Sequence, residues 1–166
     1  MKTFFRLTLA AALLVGLTAV NAAAQATQSA SVTVNATVSS KAKLTIDAAA
    51  VAFADADPDV TAILTAAPVL GITVKSRTSA GSTATLAVKA DGDLTSGGDT
   101  IAIDQLTWTV TGAGFAAGTM ATSDVGLGSF DNSGNFGGTQ TYQLVNSWGY
   151  ATGAYSATIT YTLTVP

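Results

Sequence analysis

The sequence predicts an all-β fold, an antiparallel β-sandwich of about seven to nine strands. Three observations predict it. Thr, Ser, Gly, Ala and Val dominate the composition, which is typical of strands and turns rather than helices. Apolar and polar residues alternate with period two along several segments, while no long run after residue 24 has helical periodicity. Turn signals recur roughly every 8 to 12 residues, the spacing of a sandwich rather than of a parallel sheet.

The first 24 residues have the organisation of an export signal. Lys2 and Arg6 precede an apolar run from Leu7 to Val20, and Ala22-Ala23-Ala24 fits a small-x-small cleavage site. The apolar run of about 14 residues is shorter than the roughly 20 that a transmembrane helix needs. We therefore expect a signal peptide over 1–24 and a secreted chain that is not inserted in a membrane. The 142 residues that would remain of 166 suffice for one domain.

Charge and residue usage argue against several classes of function. Without Lys2 and Arg6, five of the seven cations remain against ten acids, a net charge of about −5, which is unfavourable for binding nucleic acid or anionic membranes. Every acid is Asp, and the chain has no Glu, His or Cys. A Ser-His pair, a cysteine nucleophile, an ordinary zinc site and a disulfide framework are therefore all excluded. We expect no enzymatic activity and no cofactor.

The strictest alternation after the signal lies in Ser29–Ser39. Ala30, Val32, Val34, Ala36 and Val38 alternate there with Ser, Thr and Asn, which predicts a strand with one buried face. The polar residues Ser39–Lys43 follow as a hinge. Either the chain keeps this strand in its own sheet or it donates the strand to a neighbour, and the pattern alone is compatible with both.

Strands continue along the first half of the chain. Leu44 and Ile46 begin one that kinks near Asp47 and leads to Val51 and Phe53. Asp55–Asp59, with Pro58, reads as a turn, and Thr61–Pro68 is either one helical turn or an edge segment. Val69–Arg77, with Leu70, Ile72 and Val74 inward, is predicted to form a hairpin with the segment of Ala84, Leu86, Val88 and Ala90.

The second half begins with one long strand or two short ones around Asp104-Gln105. A glycine-rich region over 111–138 should contain short strands and turns, and Tyr142 and Leu144 mark another strand. The longest alternation closes the chain, with Tyr155, Ala157, Ile159, Tyr161, Leu163 and Val165 on one face.

Two groups of side chains are candidates for binding. Asp55, Asp57 and Asp59, at spacing two, are a weak calcium candidate, but Val60 stands where an EF-hand loop requires glycine and the bidentate Glu is missing, so turn chemistry is the better explanation. Trp108, Trp148, Tyr150 and Tyr155 are candidates either for a sugar-binding face, on which aromatic rings stack, or for core packing and cross-strand pairing, and Trp148 and Tyr150 are predicted to lie in a turn. Trp108 is expected in the core.

At its two ends the chain resembles a known family. Ser31-Val-Thr-Val-Asn-Ala-Thr-Val-Ser39, Leu44-Thr-Ile-Asp, Val51-Ala-Phe53 with the Asp-Pro turn, and the segment 151–165 with Gly153-Ala154-Tyr155 resemble spore-coat-protein-U-like and archaic chaperone–usher pilin subunits. Family members usually carry a cysteine after the first of these segments, where this chain has Ser40, Lys41 and Ala42.

The resemblance implies an immunoglobulin-like sandwich that lacks its seventh strand and receives it from a neighbouring subunit. The donated side chains would be Ala30, Val32, Val34, Ala36 and Val38, and the wall of the acceptor groove would be Tyr155, Ala157, Ile159, Tyr161, Leu163 and Val165. It also implies a fimbrial role in adhesion and biofilms, with export through the periplasm to the cell surface. The implied partners are further copies of the chain, a periplasmic chaperone and an outer-membrane usher. The alternative is a self-complete secreted sandwich that binds carbohydrate or a surface protein.

Overall fold

The structure is a computed structural model that describes residues 28–166, so the predicted signal peptide lies outside the described residues. It contains twelve strands and one 3-10 helix, Ile103–Gln105. No helix in this part of the chain is long and apolar enough to span a membrane. The strands are β1 Lys41–Ile46, β2 Ala52–Phe53, β3 Ile63–Ala67, β4 Leu70–Arg77, β5 Thr83–Ala90, β6 Leu94–Ser96, β7 Asp99–Ile101, β8 Leu106–Thr111, β9 Gly118–Thr119, β10 Val125–Asp131, β11 Gly134–Val145 and β12 Ile159–Thr164.

These strands form two antiparallel layers. In the first sheet, β11 pairs on one side with β4 and then β3, and on the other with β8, which pairs with β9. Outside β4 and β3 lie β1 and β2, which form the edge. The second sheet has the order β10-β5-β12, and β6 pairs with β7 in a short ribbon. The prediction of an all-β antiparallel sandwich is confirmed. The strand count exceeds seven to nine because several strands have only two or three residues.

The core lies between the sheets and follows the alternation of the sequence. In β4, Leu70, Ile72 and Val74 are buried while Lys75 and Arg77 are exposed. β5 buries its alternate apolar residues in the same way. The largest fully buried side chains are Trp108, Phe130, Ile72, Leu86, Met120, Leu127, Gln140, Val74 and Val88.

The predicted hairpin of Val69–Arg77 with Ala84–Ala90 is wrong. β4 pairs with β1 and β11 in the first sheet, whereas β5 pairs with β10 and β12 in the second. The turn at Ser79–Ser82 therefore carries the chain from one layer to the other. Alternation determines which side chains point inward but not which strand lies alongside.

Three segments also differ from the predicted boundaries. Lys41–Lys43, predicted as hinge, are the first half of β1. Thr61–Pro68 contains strand β3 and no helical turn. Of the final alternation, only Ile159–Thr164 is continuous strand, while Ser156 forms an isolated bridge with Thr95.

Trp108 lies in the core, as its alternation predicts. It is 1% exposed, and its Nε1 donates to the carbonyl of Ala116 at 2.9 Å. The glycine-rich region provides room for the ring, because a Cβ on Gly118 would lie 2.6 Å from Cζ2 of Trp108.

The predicted strand Ser29–Ser39 pairs with no other strand among the described residues. Residues 28–40 have no regular secondary structure, and all of their side chains are exposed. The segment therefore has the alternating residues of a strand but belongs to no sheet of the described residues.

Candidate functional site

A wide apolar groove opens between one edge of each sheet. In the second sheet β12 pairs with β5 and has no second hydrogen-bonded partner strand among residues 28–166. In the first sheet β1 and β2 form the corresponding edge. The cavity between these edges has a volume of about 1260 Å³. Each sheet therefore ends in an edge strand at this groove, and the two edges lie on opposite sides of it.

The β12 side of the groove contains most of the wall predicted from the sequence. Tyr155, Ala157, Ile159 and Tyr161 line the cavity, and all four are half-buried. Leu163 and Val165 are also half-buried and pack against the core, but they do not line the cavity.

The backbone of β12 presents its unpaired groups to the same groove. The carbonyl of Thr158 accepts from the amide of Asp91 at 2.9 Å, and residues 159–164 continue this register against β5. In an antiparallel ladder alternate residues bond to opposite sides, so the even positions bond to β5. Ile159, Tyr161 and Leu163 consequently direct their N–H and C=O groups to the free edge.

The opposite side of the groove is formed by the chain from Ile46 to Phe53. The amide of Asp47 donates to the carbonyl of Gly71 at 3.1 Å, and β1 keeps that register against β4. Odd positions therefore bond to β4, and Leu44 and Ile46 direct their backbone groups to the free edge. The two edges thus have the same arrangement, with half-buried apolar side chains and unpaired backbone groups on the same residues.

The sequence did not predict this second wall or the floor. Alternation marked Leu44, Ile46, Val51 and Phe53 as apolar strand positions, but it carried no signal that they face β12. The apolar side chains of the floor come from the first sheet and from the β6–β7 ribbon: Leu64, Leu70, Leu94, Ile101, Leu106, Tyr142 and Leu144.

A chain of hydroxyl groups links the layers beside the groove. The Tyr161 hydroxyl donates to Oε1 of the fully buried Gln140 at 2.7 Å and lies 2.7 Å from the Tyr142 hydroxyl. Since its one proton goes to Gln140, Tyr161 accepts from Tyr142. Burial raises the pKa of Tyr161 far above its ordinary value, and the neighbouring Tyr142 raises it further. Burial also raises the pKa of Tyr142.

The two ends of the groove differ. At one end Ser40 Oγ donates to the carbonyl of Pro166 at 2.8 Å, which joins the start of β1 to the end of the chain beyond β12. At the other end the cavity is lined by Asp55–Pro58, Trp148 and Tyr150. A hydrogen bond therefore joins the two sides of the groove near Pro166, whereas the groove is open near the acidic turn.

The open end is built around Asn146 and Trp148. Asn146 Nδ2 donates to the carbonyls of Ala56 and Thr61, both at 2.9 Å, and so holds the acidic turn in place. Trp148 is 70% exposed, and its Nε1 donates to Oδ1 of Asp59 at 3.1 Å. Burial raises the pKa of Tyr150, and Asp104 adds to that effect.

The three carboxylates of the acidic turn are arranged as turn residues. Asp57 Oδ1 accepts from the amide of Asp59 at 2.9 Å, the usual local bond of an Asp turn. Within residues 28–166 no group of three or more acidic side chains is placed to hold a metal ion, so Asp55, Asp57 and Asp59 are not brought together as the calcium hypothesis requires.

The predicted donor residues all lie outside any packed layer. Val32 and Val34 are each 87% exposed and Val38 is 68% exposed, and Ala30 and Ala36 are exposed as well. Exposure of three valines on one face of an alternating segment is unfavourable in water, and an apolar partner would relieve it.

Comparison with protein-family models, with curated proteins and with solved structures found no match to this chain. The fold and the groove together define its class: an all-β antiparallel sandwich with an apolar groove along two facing sheet edges.

Proposed function

We propose that this protein is a secreted structural subunit of a surface pilus or fibre that assembles by donor-strand exchange. The observation that carries the proposal is the groove between β12 and the β1–β2 edge. It offers unpaired backbone groups and apolar side chains along the same residues, and the chain also carries an exposed alternating segment, Ser29–Ser39. In this segment every second residue is apolar, which is the pattern that a strand inserted in such a groove requires.

An inserted strand would gain free energy in two ways. Its backbone would complete the ladders of both edges, and its alternate apolar side chains would enter the groove, as in β-augmentation. Full burial of a valine contributes roughly 1.5 kcal/mol or more, so Val32, Val34 and Val38 supply the largest side-chain contribution. From Ala30 to Val38 an extended segment spans about 27 Å, enough to cover most of the Tyr155–Val165 wall, which would span about 33 Å when extended.

Repeated donation in this way produces a fibre. The donor segment and the groove are different surfaces of one chain, so the contact is heterologous and does not close on itself. A subunit with an empty groove exposes an apolar surface and two unpaired edges, which favours aggregation. This supports a periplasmic chaperone that covers the groove and an outer-membrane usher that passes subunits to the growing fibre.

The proposal is tested by removing the donor and then returning it. The chain from Gln25 onwards is compared with the chain lacking 25–39 by size-exclusion chromatography and thermal melting. We expect the full chain to form polymers and the truncated chain to stay monomeric. A synthetic peptide of residues 29–39 should raise the melting temperature of the truncated chain. A monomeric full chain, together with a truncated chain that does not respond to the peptide, would disprove strand exchange.

One observation favours a second function, a binding module for carbohydrate or a surface protein. Trp148 presents an exposed ring at the rim of the groove, next to Tyr150, and such rings stack on sugars. A panel of oligosaccharides should then quench the tryptophan fluorescence, and Trp148→Ala should abolish the change. The buried Trp108 serves as an internal reference that a ligand at the rim cannot reach.

A further inference from the structure

The strongest charge feature of the molecule lies on the outer face of the first sheet. Lys41 lies directly opposite Arg77 in the β1–β4 ladder, and Lys43 lies directly opposite Lys75. Residues opposite each other and residues two apart share one face of a sheet, so all four side chains point to the same side. All four are exposed. We call these four residues the basic patch.

The basic patch is unusual within this chain. The predicted mature chain has only five cations against ten aspartates, and four of the five lie in the patch. Like charges directly opposite each other destabilise a sheet. Within residues 28–166 the salt bridge present joins Lys89, the fifth cation, to Asp124, and no acid is paired with the patch. An acidic partner would remove this repulsion.

The position of the patch suggests which partner that is. Lys41 follows Ser39, the last residue of the donor segment, by two residues, about 7 Å of extended chain. Wherever the donor segment leaves the groove of a second copy, the basic patch of the donating copy must come next. The charge at the exit of the groove therefore acts directly on the patch.

The two ends of the groove carry opposite charge. β1 and then β2 follow one sheet edge, so the basic patch at the start of β1 and the acidic turn Asp55–Asp59 after β2 lie at opposite ends of it. A donor strand antiparallel to β12 would leave at the open end, where Asp55 and Asp57 line the rim. A parallel strand would leave near Pro166, beside the acceptor's own cations.

We propose that the basic patch of each copy docks on the Asp55–Asp59 turn of the next copy, and that this contact selects insertion antiparallel to β12. The inference rests on the proposed strand exchange and adds to it a second, electrostatic contact. The partner is thus a further copy of this chain. An anionic lipid surface is the competing occupant of the patch.

Two reversed variants test the contact. The first, Lys41→Glu, Lys43→Glu, Lys75→Glu and Arg77→Glu together, changes the net charge of the patch from +4 to −4. The second, Asp55→Lys with Asp57→Asn and Asp59→Asn, changes the net charge of the turn from −3 to +1. It keeps the acceptor oxygens for the amide of residue 59 and for Trp148. Polymer growth is followed by light scattering and electron microscopy at low salt. We expect each variant alone to grow at least about tenfold more slowly than the unchanged chain, because complementary charge raises association rates by 10-fold or more.

An equal mixture of the two variants gives the sharpest result. At each junction between unlike variants, the patch of one copy and the turn of the next again have charges of opposite sign. At each junction between like variants, the two surfaces have charges of the same sign. The mixture should therefore grow at close to the unchanged rate, as a copolymer in which the variants alternate. High salt should slow the unchanged chain and remove the difference between the variants, since exposed charges are screened.

A matched control and the contrary outcomes complete the experiment. Lys75→Glu is compared with Lys89→Glu, which makes the same charge change on the other layer and should grow at the unchanged rate. Polymers that form through Ser29–Ser39 but grow equally fast in all variants would overturn the docking contact and leave strand exchange intact. Loss of binding to phosphatidylglycerol vesicles with unchanged growth would assign the patch to lipid. A chain that never polymerises would overturn both proposals.

Discussion

The hydroxyl groups of Tyr142 and Tyr161 lie 2.7 Å apart and join the two layers of the sandwich. Tyr142 belongs to β11 of the first sheet and Tyr161 to β12, the outer strand of the second. Both side chains line the groove. This bond ties β12, whose other side is unpaired among residues 28–166, to the first sheet.

Tyr161→Phe should lower the free energy of unfolding by about 1–3 kcal/mol, the cost of leaving a buried polar group without a partner. The group left alone is Gln140, whose Nε2 already has no hydrogen-bond partner within residues 28–166. Tyr155→Phe is the control, because its hydroxyl bonds to the exposed carbonyl of Ala151. Urea unfolding of the two variants measures the difference, and equal losses would contradict the role of the network.

Stability should fall above about pH 10 because of the same tyrosines. In the unfolded chain a tyrosine loses its proton near pH 10, whereas in the folded chain the raised pKa of Tyr161 and Tyr142 keeps the protons bound. Their stabilising contribution is complete below the unfolded pKa and is lost as the pH rises towards the folded pKa. Melting temperatures between pH 8 and 11 should decline less for Tyr142→Phe/Tyr161→Phe than for the unchanged chain. An identical decline would contradict this role of the two tyrosines.

Val34→Asp should block polymer growth, whereas Thr33→Asp should have little effect. Val34 belongs to the face that would enter the groove, where an unpaired charge loses its solvation. A loss of 2 kcal/mol or more corresponds to about 30-fold weaker binding. Sedimentation of the two variants measures polymer mass at equal net charge, and equal effects would show that the faces of the donor strand are assigned wrongly.

Ala157→Trp should fill the groove and prevent acceptance while leaving donation intact. Ala157 lines the cavity and is half-buried, whereas Thr160 is exposed and does not line the cavity, so Thr160→Trp is the control. A mixture of Ala157→Trp with Val34→Asp, an accepting copy that does not donate, should stop at a dimer. Mass photometry distinguishes that dimer from monomers and polymers, and polymers in the mixture would contradict the assignment of the groove.

Gly118→Ala should destabilise the fold by about 1–3 kcal/mol through overpacking. The added methyl would lie 2.6 Å from Cζ2 of the buried Trp108. Gly126→Ala in β10 is the matched control, since nothing lies within 4 Å of its Cβ position. Thermal melting of the two variants should differ by several degrees, and a neutral Gly118→Ala would show that the ring has room to move.

One wall of the groove could be predicted from the sequence, and the other could not. The alternation through Tyr155–Val165 correctly separated inward from outward side chains, and four of its six residues line the cavity. The wall from Ile46 to Phe53 could not be assigned to the groove, because its apolar residues are equally consistent with packing in a closed core. The basic patch was divided in the sequence between a predicted hinge and a distant strand, and only the β1–β4 register unites it.

By itself the sequence determined the all-β class, the inward faces of β4 and β5 and the exposed alternating segment Ser29–Ser39, because the period of side chains along a strand is a local property. The tertiary structure decided the neighbours of each strand. It placed β4 and β5 in different layers, left β12 with one partner strand within residues 28–166 and set Tyr161 against Tyr142. Such pairings depend on contacts between residues far apart in the chain, and alternation of period two is compatible with many of them.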